Sequence, residues 1–187
     1  SSHFCTAERQ FRSPVERGTQ KPPQASRTAT ACGCAALTAN ASETQLRVLS
    51  GTVGRVIDLQ IKDANHMGAA MAPAVCACIE AHLSDLSRTP RDYDLIATGD
   101  LGWIGRNILM ELFHHDGVDM PDEMLVDCGA SLFSQEQDAH AGGSGCGCVA
   151  AVSCGWLMKR MERGELKRVL LVGSGAMFSP TSTQQGE

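Results

Sequence analysis

Short uninterrupted apolar runs alternate along this chain with longer stretches whose apolar residues recur at helical spacing. "YDLIATGD" (residues 93–100) and "KRVLLVGSG" (167–175) have no polar residue in their central positions, as in a parallel strand covered on both faces. "EMLVDCG" (123–129) predicts a third strand of this kind. Between them, Ile104, Ile108, Leu109 and Leu112 predict a helix over 104–115, and 146–163 predicts another. Residues 65–86 have the small, apolar content of a buried helix with an Asn or Asp cap, with Pro73 at a turn or kink.

The N-terminal third is less periodic. Residues 28–38, "TATACGCAALT", read as a buried strand where backbones approach closely. Residues 47–61, β-branched and punctuated by glycine, read as one or two more strands. Residues 1–26 read as an ordered loop, because "QKPPQ" breaks any regular element. Strands alternating with helices at this spacing imply crossover units and a mostly parallel sheet, an α/β protein. No repeat or low-complexity linker divides the chain, so one domain is expected.

Composition narrows the functional classes. With 43% hydrophobic and 20% charged residues the chain is of the soluble globular kind, and no continuous run reaches the ~18–20 apolar residues of a membrane span. A net charge of −5 with scattered Lys and Arg argues against nucleic acid as a partner. No secretory signal opens the sequence, so the nine cysteines are expected to be reduced thiols of an intracellular protein. The first residue is not Met and the last residues follow an apolar strand, which suggests a fragment.

The candidate chemistry centres on "AGGSGCGCVAAVSCGW" (141–156). A glycine turn entering a helix gathers backbone N–H groups at the positive end of the helix dipole, where an anion or thiolate is stabilised. Cys146 or Cys148 is therefore a candidate nucleophile, although activation needs a nearby base and His140 is close only in sequence. The competing reading makes glycine and cysteine small residues that let the helix start pack tightly, and Cys154 has only that reading. Three C-x-C pairs (Cys32/Cys34, Cys76/Cys78, Cys146/Cys148) do not match zinc-module spacing. On a helix the two cysteines of such a pair point about 200° apart, so no metal site is expected. His114 and His115 read as solvated helix-end residues. Asp100, just beyond a strand's carboxyl end, would either bind a ligand or cap the next helix. "GSG" at 173–175 is too little for a phosphate loop. Arg9, Arg12, Arg17 and Lys21 would either grip an anion or form a solvated face.

Several longer motifs, in order, carry a resemblance. "TAERQFR" (6–12), "QKPP" (20–23), "IKDANHMGAAMAPA" (61–74), "DYDLIATGDLG" (92–102), "AGGSGCGC" (141–148), "GELKRVLLV" (164–172) and "SPTSTQQGE" (179–187) closely resemble the stage V sporulation protein AD family. The resemblance implies a thiolase-like fold, two related α/β halves stacked as a five-layered αβαβα sandwich. Residues 1–45 would end the first half, and residues 46–187 would form most of the second without its final strand. It further implies binding of dipicolinic acid, possibly with calcium, during uptake into the developing endospore.

Condensing enzymes of this fold carry a histidine after the strand that "DLIATGD" resembles and an asparagine in the glycine turn. Here Thr98, Gly99 and Asp100 occupy the first place, and Gly143 and Ser144 the second. Losing one oxyanion donor typically costs ~10²–10³ in rate, so the resemblance implies a non-catalytic receptor without cofactor. Asp100, Gly143, Ser144 and Cys146 would lie nearest its ligand, and Arg12 or Lys21 would meet a carboxylate. The alternatives are an acyltransferase using Cys146 and a pure scaffold. Implied partners are other stage V sporulation membrane proteins and a second copy of the complete protein, peripheral to the forespore inner membrane.

Overall fold

A computed structural model describes residues 2–3, 23–40, 46–63 and 65–176. Its centre is a parallel sheet of β4 (Leu95–Thr98), β5 (Leu125–Asp127) and β7 (Val169–Val172), with β4 in the middle. Every residue of β4 is buried. Its side chains divide between two cores, which explains the unbroken apolar run. Ile96 joins Leu125 and Val172 against α1 (Met67–Asp85) and α2 (Gly102–His115), together with Met71, Ile79, Leu109 and Phe113. Leu95 and Ala97 face the other way, toward Cys128, Cys148, Val152, Leu157 and Leu166. The protein is α/β, with helices on both faces of a parallel sheet.

The strand and helix predictions from residue 65 onward locate the right elements with shifted ends. Helix α1 is continuous through Pro73, and its N-cap is His66, whose Nδ1 accepts from the Ala69 N–H at 3.3 Å, rather than an Asn or Asp. Among the described residues it is one helix long and apolar enough to cross a membrane by length and composition, yet its apolar face forms core. After β5 come the short α3 (Cys128–Ser131), the two-residue β6 (Gly143–Ser144) and α4 (Cys146–Val152). A π-helical turn at Ser153–Leu157 joins α4 to α5 (Met158–Glu162), so the helix expected over 146–163 has an interruption. The Ser153 hydroxyl donates back to the carbonyls of Val149 and Ala150 at that point, a pairing that competes with the helical ladder.

Two strand predictions fail, for separable reasons. Residues 28–38 contribute only β2 (Arg27–Thr28), parallel to β6, and β3 (Ala31–Cys32), antiparallel to β1 (Ser2–His3). The close approach is real, but its partner is a helix: a Cβ on Gly33 would stand 2.3 Å from the Ala150 carbonyl oxygen. Residues 46–63 contain no strand, and Val48, Val53 and Val56 are largely exposed. β-Branched alternation favours a pleated surface only where a neighbouring strand completes it. This segment instead lies along α1, with Gly54 against the Cys78 thiol and Thr52 hydrogen-bonded to His82.

His82 is the buried end of that anchor. Arg88 donates to the Tyr93 hydroxyl oxygen (2.9 Å), which leaves the Tyr93 proton for His82 Nε2 (2.7 Å). His82 Nδ1 then donates to Thr52 Oγ1 at 2.8 Å. Burial, with the Arg88 charge, lowers the His82 pKa below its usual 6.5, while Asp85 pulls weakly the other way. The unfolded chain therefore takes up a proton that the folded one refuses, so stability is complete above pH 6.5 and declines as pH falls through the folded pKa. In thermal melts between pH 7.5 and 5, His82→Gln is expected to remove part of the wild-type's acid-side decline. Identical slopes for the two proteins would contradict the network.

Candidate functional site

The loops that follow β4, β5 and β7 converge at the carboxyl edge of the sheet, where open α/β folds place their ligands. Asp127, at the end of β5, is 2% exposed and ties this edge together. Its Oδ2 accepts from the Thr98 hydroxyl (2.7 Å) and the Leu101 N–H (2.9 Å). Its Oδ1 accepts from the N–H groups of Gly102 (2.9 Å) and Ala130 (2.8 Å). One carboxylate thus serves the first turns of both α2 and α3, satisfying donors that helix starts leave open.

Asp100 has a similar task across a different gap. Its Oδ2 accepts from the Gly145 N–H at 2.7 Å, and its Oδ1 accepts from the Ser174 hydroxyl at 3.0 Å. Ser174 Oγ in turn accepts from the Asp100 N–H at 3.0 Å. Gly145, with φ of 102°, turns the chain into α4 in a conformation that side chains rarely adopt. Burial pushes the Asp100 pKa up, and nearby Asp127 adds to this, while the bonds from Gly145 and Ser174 oppose it. Asp100 therefore does not cap the next helix; with one bond on each oxygen it clamps the glycine turn to the loop after β7.

The turn runs from the interior at Gly143 to the surface at Cys146. Gly143 is buried, its hydrogens facing the Cys148 thiol, Leu132 and Phe133, and Ser144 accepts through its carbonyl from the Ala29 N–H at 2.9 Å. Of the predicted site residues, the structure brings Asp100, Gly143, Ser144 and Cys146 to one turn, while Arg12 and Lys21 lie outside the described residues. Cys146 is exposed at the start of α4, whereas Cys148 and Cys128 are completely buried. Burial is the main cause that pushes both thiols up to about 12, helped by Asp100 and Asp127 for Cys148 and by Asp127 for Cys128. They are packing residues at neutral pH, and Cys154 is half-buried.

A cavity of about 250 Å³ opens beside the turn. Trp103, Phe133, Ser134, Asp138, Ala139, His140 and Gly142 line it. A bond from the Trp103 N–H to the Ala141 carbonyl (2.8 Å) brings the start of α2 to the His140 loop. His140 Nε2 is buried with no hydrogen-bond partner among the described residues, and its Nδ1 lies 4.0 Å from Asp138. Arg27, whose N–H donates to the Gly142 carbonyl at 2.8 Å, also has a buried Nε without a partner among the described residues. Sequence reasoning passed over Asp127, Trp103 and Arg27, and set His140 aside. Only Asp127 left a local signal, the helix-capping spacing to Ala130.

The sequence model described as Stage V sporulation protein AD (SpoVAD) matches residues 1–187. The chain belongs to this family. It is 44% identical over 187 residues to Stage V sporulation protein AD of Bacillus subtilis (strain 168), a match that covers 100% of this chain and 54% of that protein. The chain therefore spans about half the length of the curated relative. Family membership makes it a sporulation protein, in agreement with the resemblance carried by its motifs.

Proposed function

We propose that the complete protein is a non-catalytic receptor for dipicolinic acid, alone or as its calcium complex, acting in uptake into the developing endospore. The observation that carries this reading is the state of Asp100. It stands where a condensing enzyme of the thiolase-like kind would hold its histidine, and its two oxygens accept from Gly145 and Ser174 instead. A group so engaged holds the walls of a cleft together. The neighbouring cavity offers aromatic side chains, Trp103 and Phe133, suited to a flat pyridine ring, and His140 Nε2 to meet a polar edge. Gly143, Ser144 and Cys146 form the adjoining turn, and Arg12 or Lys21 supplies positive charge. In this reading the complete protein dimerises and works beside other stage V sporulation proteins at the forespore inner membrane.

Calorimetry of the complete protein with dipicolinate, with and without calcium, tests the reading. Saturable binding is expected, weakened roughly tenfold by His140→Ala, as loss of one buried hydrogen bond implies. Absence of binding would refute it, as would turnover of an acyl thioester that disappears in Cys146→Ser.

A further inference from the structure

On the far side of α1 from the segment 46–63 anchor, a thiol and two carboxylates from separate elements meet. Cys76 and Glu80 are one turn apart on α1, and Asp116 is the C-cap of α2. One ligand atom from each lies within 4.8 Å of the others. Cys76 is 4% exposed, Glu80 is half-buried and Asp116 opens to solvent, so the group has a floor and an entrance. His115 Nδ1 lies 2.7 Å from Asp116 Oδ1.

Several features of this place favour a cation. Among the described residues, no Lys or Arg forms an ion pair with Glu80 or Asp116. Asp116 also sits at the negative end of the α2 dipole, where a carboxylate is disfavoured and a cation is stabilised. The pairing of Cys76 with Glu80 is specific to its helix face, since Cys78 points instead toward Gly54.

We propose that Cys76, Glu80 and Asp116 form a zinc site. A buried sulfur donor selects a borderline-soft ion over calcium or magnesium, which take oxygen ligands alone. Zinc-ligand bonds of about 2.0–2.3 Å place tetrahedral donors roughly 3.3–3.8 Å apart, so side chains within 4.8 Å need to contract by ~1 Å. Three protein ligands leave a fourth position for water at the solvent side. His115 acts as the outer partner that holds the Asp116 carboxylate in place. On binding, the Cys76 thiol releases its proton to solvent and the sulfur forms the metal bond. The site would tie the end of α2 to α1, and it is independent of the receptor reading.

The test uses the 187-residue chain, stripped of metal under reducing conditions and titrated with Zn²⁺ and with Co²⁺. One Zn²⁺ per chain and a thiolate-to-cobalt charge-transfer band are expected. Cys76→Ser should abolish the band, and Glu80→Gln and Asp116→Asn should each weaken Zn²⁺ binding at least tenfold, no less than the loss of an outer-shell partner costs. Circular dichroism checks that these variants fold, and the two carboxylate variants decide the matter if Cys76→Ser does not. Cys32→Ser combined with Cys34→Ser controls for the exposed C-x-C pair and should leave the band intact. No band, a band that survives Cys76→Ser, or a band lost in the Cys32/Cys34 control would overturn the proposal.

Discussion

Asp127→Ala is expected to destabilise the fold by ~4–8 kcal/mol, since four charge-assisted hydrogen bonds end on this one carboxylate and each orphaned donor costs ~1–3 kcal/mol. That approaches the entire ~5–15 kcal/mol stability of a typical domain, so the variant should be largely unfolded or melt far below the wild type. Asp127→Asn distinguishes charge from connectivity. Its carbonyl oxygen can still receive the Gly102 and Ala130 N–H groups, and the Thr98 hydroxyl can rotate to accept from the new amide. Only the Leu101 N–H then faces a donor. An intermediate loss of about 2–4 kcal/mol is expected in urea titrations, with the ligand edge of the sheet loosened first in hydrogen exchange. If Asp127→Ala lost less than about 1 kcal/mol, the water-excluded character of this site would be wrong.

The central sheet and the helices beside it show where the sequence was readable and where it was not. Strand β4 could be read because burial on both faces demands an unbroken apolar run; β7 shows the same run although only Val172 is buried and Leu171 is exposed. Helix α2 could be read because one buried face leaves a helical stripe. Helix α1 was found by its content although its cap was misassigned; an imidazole nitrogen can accept a backbone N–H as an Asn or Asp oxygen does. Residues 46–63 misled because β-branched alternation describes what a side chain suits, while a strand also needs a partner backbone. Here the contacts that hold the segment are Thr52 with His82 and Gly54 with Cys78.

At the site, the turn around Gly143 to Cys146 was legible from its glycines. The bonding of its polar groups was not. Asp100 had two local possibilities, ligand or helix cap, and the structure realises a third with Gly145 and Ser174, which are 45 and 74 residues away. Pairings across such separations follow from how the sheet edge folds together and leave no periodic trace. The Trp103 and His140 cavity is hidden for the same reason, since its walls come from α2 and from the loop before β6.

Gly105→Ala and Gly155→Ala are expected to change stability in opposite directions, although both put alanine for glycine inside a helical run. Propensity alone favours alanine by about 0.5–1 kcal/mol at either position. At Gly155 nothing lies within 4 Å of an added Cβ, so a gain of that size or a neutral result should appear. At Gly105 the new Cβ would stand 2.7 Å from the Gly68 Cα, and the reciprocal Cβ on Gly68 would meet the Gly105 backbone at 2.8 Å. Carbon atoms rest about 3.5–4.0 Å apart, so α1 and α2 would have to separate by roughly 1 Å where their backbones touch. Overpacking typically costs ~1–3 kcal/mol and more when backbone is the obstacle, which outweighs the propensity gain. The separation would also disturb the Leu101–Trp103 segment, because a Cβ on Gly68 also approaches the Leu101 carbonyl oxygen at 2.6 Å. Gly105→Ala should therefore melt below the wild type and weaken any ligand held by Trp103. Stabilisation of Gly105→Ala to the same degree as Gly155→Ala would show that the two helices do not cross in direct backbone contact.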